Sequence, residues 1–480
     1  MWPVADKKRI LMVANQSGRR GGGIPVVCMH MCAALSQLGH QVTLLAASVD
    51  SEGEHGDTTV APSRSPAFDR LKAEITSVGP GAGAHEERHA WAARMPDTVK
   101  ILETAVDTLT REDLGMAEKE FDLVIGHTRF SGRAAVNIRN KWYPKARYAH
   151  IVHTSPRGIQ RGGTKDRWKA EEESGIERDI MRRSDLVVGV GPLLSAEVRR
   201  QGNAVPGSYG THEIVPAFEG PDVLLPPKAT ETGRLVLYLA GRADDRLKGV
   251  AEITQAISVA RKRLPGVDLR LNVRGIPDGP ERQAFQAEMD EITGQAGVVR
   301  ILPYTSDKAE LERDKVEADA AVMPSTHEGF GMSASEAAAM GLPVLTTSDS
   351  GMSMFLGDSR RFPPGTADQG VVPDRNTDRV EAWAQAIAKL YRELAVRQPG
   401  ARGLAELLKG YSWRSAAASL VQAAGSPSQH GYTTQSGTGT NQYQPNELSN
   451  LAARAVRRKI TDRAQETTAT KRRKVSAPEM

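Results

Sequence analysis

The sequence has only two cysteines in 480 residues, Cys28 and Cys32, which excludes a small disulfide-stapled scaffold. The two lie four positions apart in a predicted helix, so they share one face and are poorly placed to bridge each other. No further cysteine is available to complete a metal site with them. We therefore interpret both as buried core thiols.

Long apolar runs are also lacking. The N-terminal stretch "MWPVADKKRILMVA" holds too short an apolar run, before "NQSGRRGGG", for a signal peptide with its cleavage site. No uninterrupted run approaches the roughly 18 residues that are needed to span a bilayer. We expect a cytoplasmic protein with at most weak peripheral contact to an anionic membrane surface.

Most of the chain carries no excess of positive charge. The formal net charge is +5, but nine Lys or Arg against three acids give +6 after residue 450 and leave −1 for residues 1–450. Residues 426–447 are polar and offer little apolar surface to offset the entropy of ordering. We predict a disordered polar and basic tail over residues 426–480, and we expect no nucleic-acid partner.

Short β-branched or apolar runs occur in two series, and helical patterns separate the runs. The first series is "RILMVA", "QVTLLAA", "FDLVIG", "YAHIV" and "DLVVGV"; the second is "RLVLYLAG", "DLRLNVRG", "VVRIL", "ADAAVMPS" and "PVLTT". A Pro-rich passage over residues 220–233 separates the two series. The pattern predicts an α/β protein with two doubly wound Rossmann-like domains. Ligands of such sheets lie at the carboxyl ends of the strands, so we expect the site in a cleft between the domains.

A Gly-rich loop follows the first run and precedes a helix that we expect Pro25 to open. Backbone N–H groups of Gly21, Gly22 and Gly23, beside a positive helix end, suit a phosphate. A flexible turn is an equally open interpretation. The contiguous glycines do not form the G-x-G-x-x-G pattern of dinucleotide-binding proteins.

The passage "GRADDRLKGV" places Arg242 and Lys248 at the carboxyl end of the first strand of the second series. An Arg fork and a Lys charge together neutralise a diphosphate well in a closed cleft. Such residues also occur in ordinary surface loops. Their position in the predicted sheet favours a functional role.

The stretch "HEGFGMSASE", residues 327–336, is the most informative one. Glu336 fits a capping box with Ser333, which is a purely structural alternative for this acid. Glu328 has no such explanation, because the glycines that follow it would break any helix begun there. An acid in a glycine-bent loop beside a helix N-terminus suits a polyhydroxylated ligand that carries phosphate.

The E-x7-E spacing of Glu328 and Glu336 within "PSTHEGFGMSASEAAAMGLPVLTT" closely resembles the donor-site signature of GT-B glycosyltransferases of family 4. The early glycines, "DLVVGVGPLLSAEV", the GR…KG loop and "YSWRSAAASLVQA" follow in that family's order. The resemblance spans roughly residues 8–424 and is denser in the second half. It implies a GT-B fold whose two domains, residues 1–225 on the acceptor side and 226–425 on the donor side with the closing helices, face each other across a cleft.

The activity that the resemblance implies is a retaining transfer of a sugar from a nucleotide-diphosphate sugar to an acceptor hydroxyl. The donor would be a UDP- or GDP-sugar, and the acceptor a small-molecule, lipid-linked or polysaccharide hydroxyl. No metal and no cofactor beyond the nucleotide sugar would be required, because cations and helix dipoles stabilise the leaving group.

The resemblance also implies roles for individual residues. Glu328 would contact sugar hydroxyls and stabilise positive charge at the anomeric carbon, while Glu336 would hold the ribose. Arg242 and Lys248 would stabilise the departing diphosphate. The other donor-binding residues would offer backbone N–H groups (Phe330, Gly331, Met332 and Ser333) or close over the diphosphate from the opposite domain (Gly22 and Gly23).

Many family members carry a histidine after a strand of the first domain, facing the donor sugar. "RYAHIVHTSP" offers His150 and His153, which point to opposite faces of a regular strand. We choose His153 as the second catalytic residue because it lies at the carboxyl end, and His127 is a rival at the same rim. A hydrogen-bonded structural histidine is the alternative interpretation.

Three alternatives stay open at the level of the sequence: a GT-B sugar-nucleotide epimerase or hydrolase, a non-catalytic nucleotide-sugar-binding protein, and a nicotinamide-dependent dehydrogenase. The last predicts a dinucleotide fingerprint that the sequence does not contain. Two segments match no family pattern. They are residues 51–120 and "SDSGMSMFLGD", which replaces the usual acid-bearing Gly-rich loop after the last strand.

Overall fold

A computed structural model describes residues 6–18, 22–49, 60–62, 66–77, 96–161, 166–203, 209–221, 224, 233–241, 246–362, 371–372 and 378–426. Two of the residues discussed above, Gly21 and Arg242, lie outside the described residues. The predicted tail also lies outside them, apart from residue 426.

The first half of the chain forms one parallel sheet. Its strands in the described ranges are β1 (Arg9–Ser17), β2 (Gln41–Val49), β3 (Val60–Pro62), β4 (Leu123–His127), β5 (Arg147–Val152), β6 (Leu186–Val190) and β7 (Gly210–Ile214). They pair in the order β3-β2-β1-β4-β5-β6-β7. The helices of this half are α1 (Gly23–Gln37), α2 (Pro66–Ser77), α3 (Asp97–Thr108), α4 (Thr128–Trp142), α5 (Pro156–Arg161), α6 (Arg167–Arg182) and α7 (Gly191–Asn203).

The second half repeats this architecture. Its described strands are β8 (Arg234–Ala240), β9 (Asp268–Ile276), β10 (Val299–Pro303), β11 (Ala320–Met323), β12 (Val344–Thr347) and β13 (Val371–Val372). They form a parallel sheet in the order β10-β9-β8-β11-β12-β13. A 3-10 turn (Arg246–Lys248) follows β8, and the helices are α8 (Val250–Arg263), α9 (Pro280–Thr293), α10 (Lys308–Glu317), α11 (Met332–Ala339), α12 (Gly351–Leu356), α13 (Arg379–Leu408) and α14 (Trp413–Gly425).

Both faces of each sheet are covered, which explains why the strands read as continuous apolar runs. On β1, Met12 belongs to one apolar cluster, while Leu11 and Val13 belong to another on the opposite face. The cluster around Met12 continues into the second half through Met323 on β11. The two Rossmann-like halves are therefore joined by a shared apolar core. This arrangement confirms the predicted α/β class and the two doubly wound sheets.

All ten apolar runs form strands, and the three strands that the sequence did not reveal lie toward the ends of the sheets. β3 and β13 are edge strands of three and two residues, too short for a periodic signal. β7 reads "GTHEI" and is only partly buried because it has a neighbour on one side. Edge strands need fewer apolar residues, so their sequences resemble loops.

The two cysteines lie on α1 as predicted, free and fully buried. The last helix, α14, packs against α1 and β7 of the first sheet, and Trp413 stacks on His30 with ring centroids 5.0 Å apart. After the second sheet, the described chain therefore returns to its own N-terminal half through α14. No helix in the described part of the chain is both long and apolar enough to cross a membrane.

Glu103, Glu173 and Glu177 are the buried acids among the described residues of the first half, and Glu103 differs from the other two in having an unpaired oxygen. Glu103 on α3 is only 4% exposed, and its Oε1 has no hydrogen-bond partner among the described residues. Burial raises the pKa of Glu103 to about 7, with Arg133 opposing the rise and Asp107 adding to it. The folded-state pKa lies above the ordinary value of 4.5, so the folded protein favours the protonated form of Glu103. The contribution of Glu103 to the free energy of unfolding is therefore fully present below pH 4.5 and is lost as the pH rises through about 7.

We predict that Glu103→Gln leaves stability unchanged near the acid end of this window and raises the free energy of unfolding above it by roughly 2 kcal/mol. The substitution removes the cost of a buried charge that exists only at the higher pH. Urea unfolding on both sides of the window measures the difference, with exposed Glu118→Gln as the control. An effect of equal size at both pH values would contradict the assignment.

Candidate functional site

The carboxyl ends of the central strands of both sheets meet at one place. The strand order reverses between β1 and β4 in the first sheet and between β8 and β11 in the second, and open α/β sheets bind ligands at such points. A β-carbon built on Gly23, at the start of α1, would lie 3.9 Å from Cγ of Met332, at the start of α11. The predicted glycine loop and the E-x7-E stretch therefore face each other across the domain boundary.

Lys248 and Glu328 form an ion pair at this boundary. Lys248 Nζ lies 2.8 Å from Glu328 Oε2, and the two side chains are 23% and 22% exposed. Ser325 Oγ donates a second hydrogen bond to the same oxygen at 3.4 Å. Burial alone would raise the pKa of Glu328, but Lys248, His327 and Ser325 together hold it below its ordinary value. Glu328 is therefore a carboxylate at neutral pH.

The backbone of Glu328 is anchored to the start of α12. Its N–H donates to the carbonyl of Asp349 at 3.2 Å, and its carbonyl accepts from the N–H of Gly351 at 3.0 Å. These bonds form a single parallel bridge between Glu328 and Ser350. The segment "SDSGMSMFLGD", which departs from the family pattern, thus supports the backbone of the predicted catalytic acid.

Helix α11 begins directly after the glycine-bent loop. Gly331 is its N-cap, with φ 106°, and no side chain caps the helix. The left-handed φ of Gly331 favours glycine at this position, and a β-carbon there would also lie 2.7 Å from Cε of Met323, so that this side chain would have to move. Ser333 lies inside the first turn, one residue after Met332. The capping-box alternative for Ser333 and Glu336 is therefore wrong, and the first turn of α11 keeps its N–H groups for another acceptor.

Glu336 lies on α11 and forms an ion pair with Lys315. Its Oε2 is 3.0 Å from Nζ of Lys315 on α10. Lys315 is almost fully buried, whereas the Glu336 side chain is 44% exposed. The carboxylate thus stays accessible while its charge is compensated, and its contact with a ribose stays a prediction.

The side chain of Phe330 belongs to the core. Its ring packs against Phe218 and Phe355, with centroids 5.9 and 5.8 Å away. Gly191, at the start of α7, lies so close that a β-carbon there would overlap the Phe330 ring. Only the backbone of Phe330 is left for the predicted ligand contact, which stays a prediction.

His153 lies beside the Glu328 loop, one residue beyond β5. A β-carbon on Gly329 would be 2.7 Å from the carbonyl oxygen of His153. The ring of His153 is 2.8 Å from that of His127 (Nε2 to Nδ1), and His127 Nε2 is 3.0 Å from Sδ of Met12. Burial, followed by the neighbouring His127 and His150, holds the pKa of His153 well below its ordinary value. The imidazole of His153 is therefore neutral at pH 7.

His150 points to the other face of β5, as the alternation of the strand predicts. Its Nε2 is 2.8 Å from Glu177 Oε1 and its Nδ1 is 3.1 Å from the hydroxyl of Tyr148. These partners make His150 a structural residue. The catalytic role of His153 stays a prediction, and the rival His127 is its direct partner at the same rim.

On the opposite side of the cleft, Gly22 is the N-cap of α1 with φ 96°, and Gly23 is the first helical residue. The helix therefore begins two residues before Pro25, which we had expected to open it; Pro25 lies in the first turn. Helix α1 thus points its N-terminal end towards the boundary that Met332 approaches.

Two features of the site gave no clear signal in the sequence. Thr128, directly after His127, has φ 43°, the one positive value among the described non-glycine residues. Such strain is costly and clusters at functional sites. His327, directly before Glu328, is buried between the domains. Their positions depend on tertiary contacts, such as that of His327 with Gly158 of α5, which no local sequence pattern reveals.

Comparisons with known proteins agree with this architecture. A sequence model of the family described as "Family 4 Glycosyltransferase in conflict systems" matches residues 11–420. The D-inositol 3-phosphate glycosyltransferase of Paenarthrobacter aurescens (strain TC1) is 25% identical over 353 residues, covering 72% of this chain and 83% of that protein. The MMP alpha-(1->4)-mannosyltransferase of Mycolicibacterium hassiacum is 23% identical over 428 residues, covering 86% and 97%.

Solved structures share the fold. Sucrose-phosphate synthase from Thermosynechococcus elongatus superimposes with a TM-score of 0.61 at 19% identity, covering 86% of this chain and 98% of that one. The catalytic domain of starch synthase IV from Arabidopsis thaliana, bound to ADP and acarbose, gives 0.59 at 14% identity, covering 87% and 99%. With the family match over most of its length, the chain belongs to the family 4 glycosyltransferases of conflict systems and is a glycosyltransferase of the GT-B fold.

Proposed function

We propose that this glycosyltransferase moves a sugar from a UDP- or GDP-sugar to an acceptor hydroxyl, with retention of the anomeric configuration and without a metal ion. The observation that carries the proposal is the Lys248–Glu328 pair at the domain boundary, which joins a cation suited to a diphosphate and an anion suited to a sugar. The start of α11 and the His127–His153 pair border the same place.

Lys248 would stabilise the leaving group. Its ammonium has three N–H bonds, of which one points at Glu328, so others are left for phosphate oxygens. The first-turn N–H groups of α11 and the N-terminal end of α1 add positive potential from both domains. Charge that develops on the departing diphosphate thus meets preorganised donors, which is the largest usual source of rate enhancement.

Glu328 would act on the sugar. The bond to the leaving group breaks with positive charge building at the anomeric carbon, and an ionised carboxylate nearby stabilises that charge. The carboxylate is held by Lys248 and Ser325, which suits electrostatic support better than covalent attack. The acceptor hydroxyl would attack from the face that the diphosphate leaves and give its proton to a phosphate oxygen, so the configuration is retained.

His153 would orient a sugar hydroxyl. A thioether only accepts, so when both imidazoles are neutral the Nε2–H of His127 points to Met12 and its Nδ1 accepts from the Nε2–H of His153. This order leaves Nδ1 of His153 as a hydrogen-bond acceptor for a hydroxyl. A neutral ring also avoids placing a second positive charge where the sugar cation develops.

The acceptor is proposed as a small-molecule, lipid-linked or polysaccharide hydroxyl. The relative named above as a D-inositol 3-phosphate glycosyltransferase makes inositol 3-phosphate the first acceptor to supply. Transfer to water alone would indicate hydrolysis instead.

We predict that Lys248→Ala lowers turnover by about 10² or more, because it removes a charge partner of the transition state. It also removes the main cation that holds the pKa of Glu328 down, so the acid limb of the pH–rate profile should move to higher pH. Steady-state kinetics across pH measure both effects, with exposed Lys262→Ala on α8 as the control. Unchanged kinetics in Lys248→Ala would contradict its role at the diphosphate.

The nucleotide can be identified by thermal shift with UDP, GDP, ADP and TDP. A ligand that binds only the native state stabilises it by about 2.7 kcal/mol at a hundredfold excess over its Kd. We expect UDP or GDP to raise Tm and Lys248→Ala to reduce the rise. If none of the four nucleotides raises Tm, the proposed donor class is wrong.

Metal independence has its own test. Because Lys248 and the helix ends provide the positive charge, we expect transfer to continue after treatment with EDTA and dialysis. Loss of turnover with EDTA, restored by Mg²⁺ or Mn²⁺, would show that a metal neutralises the diphosphate instead.

A further inference from the structure

His327 lies directly before Glu328 and is buried between the two domains, with its side chain only 3% exposed. Neither ring nitrogen has a hydrogen-bond partner among the described residues, and the nearest acid oxygen, Asp349 Oδ2, is 3.5 Å from Nδ1. Burying an imidazole without hydrogen bonds costs free energy, so packing alone would be served better by an apolar ring.

The ring of His327 is seated on the other domain. A β-carbon on Gly158 of α5 would overlap Cε1 and Nε2 of His327. Helix α5 is fixed in its own domain, since the N–H of Gly158 donates to Ser155 Oγ at 3.0 Å and Arg157 pairs with Glu171 of α6 at 2.9 Å. The seat for His327 is therefore a firm part of the N-terminal domain.

The residues on the other side of Glu328 also touch that domain. Gly329 lies against the carbonyl oxygen of His153, and the Phe330 ring lies against Gly191. Glu328 is thus flanked by contacts with α5, with the end of β5 and with the start of α7. Each contact exists only while the two domains are together.

We infer that His327 is a positioning residue: its ring, seated on Gly158 when the domains close, sets the place of Glu328 beside His153 and Lys248. The inference rests on the proposed transfer reaction at Glu328, whereas the closure itself can be measured without that reaction. Closure of two domains around a donor commonly completes a catalytic site, and misplacement by about 1 Å costs about 10² in rate.

Gly158→Ala tests the seat directly. The backbone of Gly158 is not left-handed, so alanine meets no conformational strain, yet its methyl group must collide with the ring of His327. We expect a turnover about 100-fold lower, with a smaller change in the KM for the donor, because the nucleotide is held mainly by the second domain. Gly175→Ala on α6 is the matched control, since a β-carbon there meets nothing closer than 4.0 Å.

The double variant separates seating from folding. His327→Ala removes the ring without touching α5, and we expect it to lower turnover about tenfold. His327→Ala/Gly158→Ala should return from the level of Gly158→Ala to the level of His327→Ala, because the methyl group no longer collides. Such non-additivity is expected for residues in contact and not for distant, independent sites. If Gly158→Ala fails to fold, the inference is tested by His327→Ala alone: a turnover about tenfold lower supports the positioning role of His327, and a wild-type turnover contradicts it.

Small-angle X-ray scattering provides the readout that is independent of activity. With the nucleotide found by thermal shift, or with UDP otherwise, we expect Gly158→Ala to be more expanded than the wild type and the double variant to be compact again. If the wild-type protein transfers no sugar, the proposed function fails and the scattering still decides on closure. A compact Gly158→Ala, a wild-type turnover in His327→Ala, or a double variant without recovery would each overturn the inference.

Discussion

The close approach of the Glu328 loop to backbone on both of its sides is the constraint on which the site depends. Within its own domain, the carbonyl oxygen of Gly329 lies so near Gly351 that a β-carbon on Gly351 would overlap this oxygen. The side chain of Met323 lies against Gly331. Across the boundary, Gly329 meets the carbonyl of His153. The pattern E-G-F-G therefore has a local cause: a side chain at Gly329 would overlap the backbone of His153, and Gly331 has a left-handed φ of 106° that favours glycine.

Charge in the cleft is balanced in pairs before any donor binds. Glu328 has Lys248 and Glu336 has Lys315, each at 2.8 to 3.0 Å. Two unpaired carboxylates facing a diphosphate would repel it, and in a partly buried site that repulsion is poorly screened. Each lysine offsets this repulsion, and both acids keep carboxylate oxygens that can accept hydrogen bonds. His153, whose ring is neutral at pH 7, adds a polar group beside His127 without adding a charge of its own.

The sequence predicted the parts of the fold and site that depend on local pattern. The ten short apolar runs form strands, and the E-x7-E stretch lies in the loop and helix where it was expected. Prediction failed where the backbone conformation of one residue decides: α11 begins after Gly331, the N-cap with φ 106°, so Ser333 lies within the helix and does not cap it. The seating of His327 on Gly158 joins residues 169 positions apart, which no periodicity reveals. The edge strands were missed because a strand with one neighbour needs few apolar residues.

The phenylalanine of the motif ties the donor loop to the segments that connect the two halves. Phe330 and Phe355 pack on Phe218, which lies in the passage leaving the first sheet, and Phe355 packs on Tyr411, which lies just before α14. The backbone N–H of Phe218 also donates to the carbonyl of Tyr411 at 3.5 Å. Both chain crossings between the domains thus meet in one aromatic cluster, in which Phe218 and Phe355 stack and the other pairs meet edge to face, and such close packing transmits strain. A movement of one domain against the other must therefore pass through the same cluster that holds Phe330, two residues from Glu328, so the position of the acid and the relative position of the domains are mechanically linked.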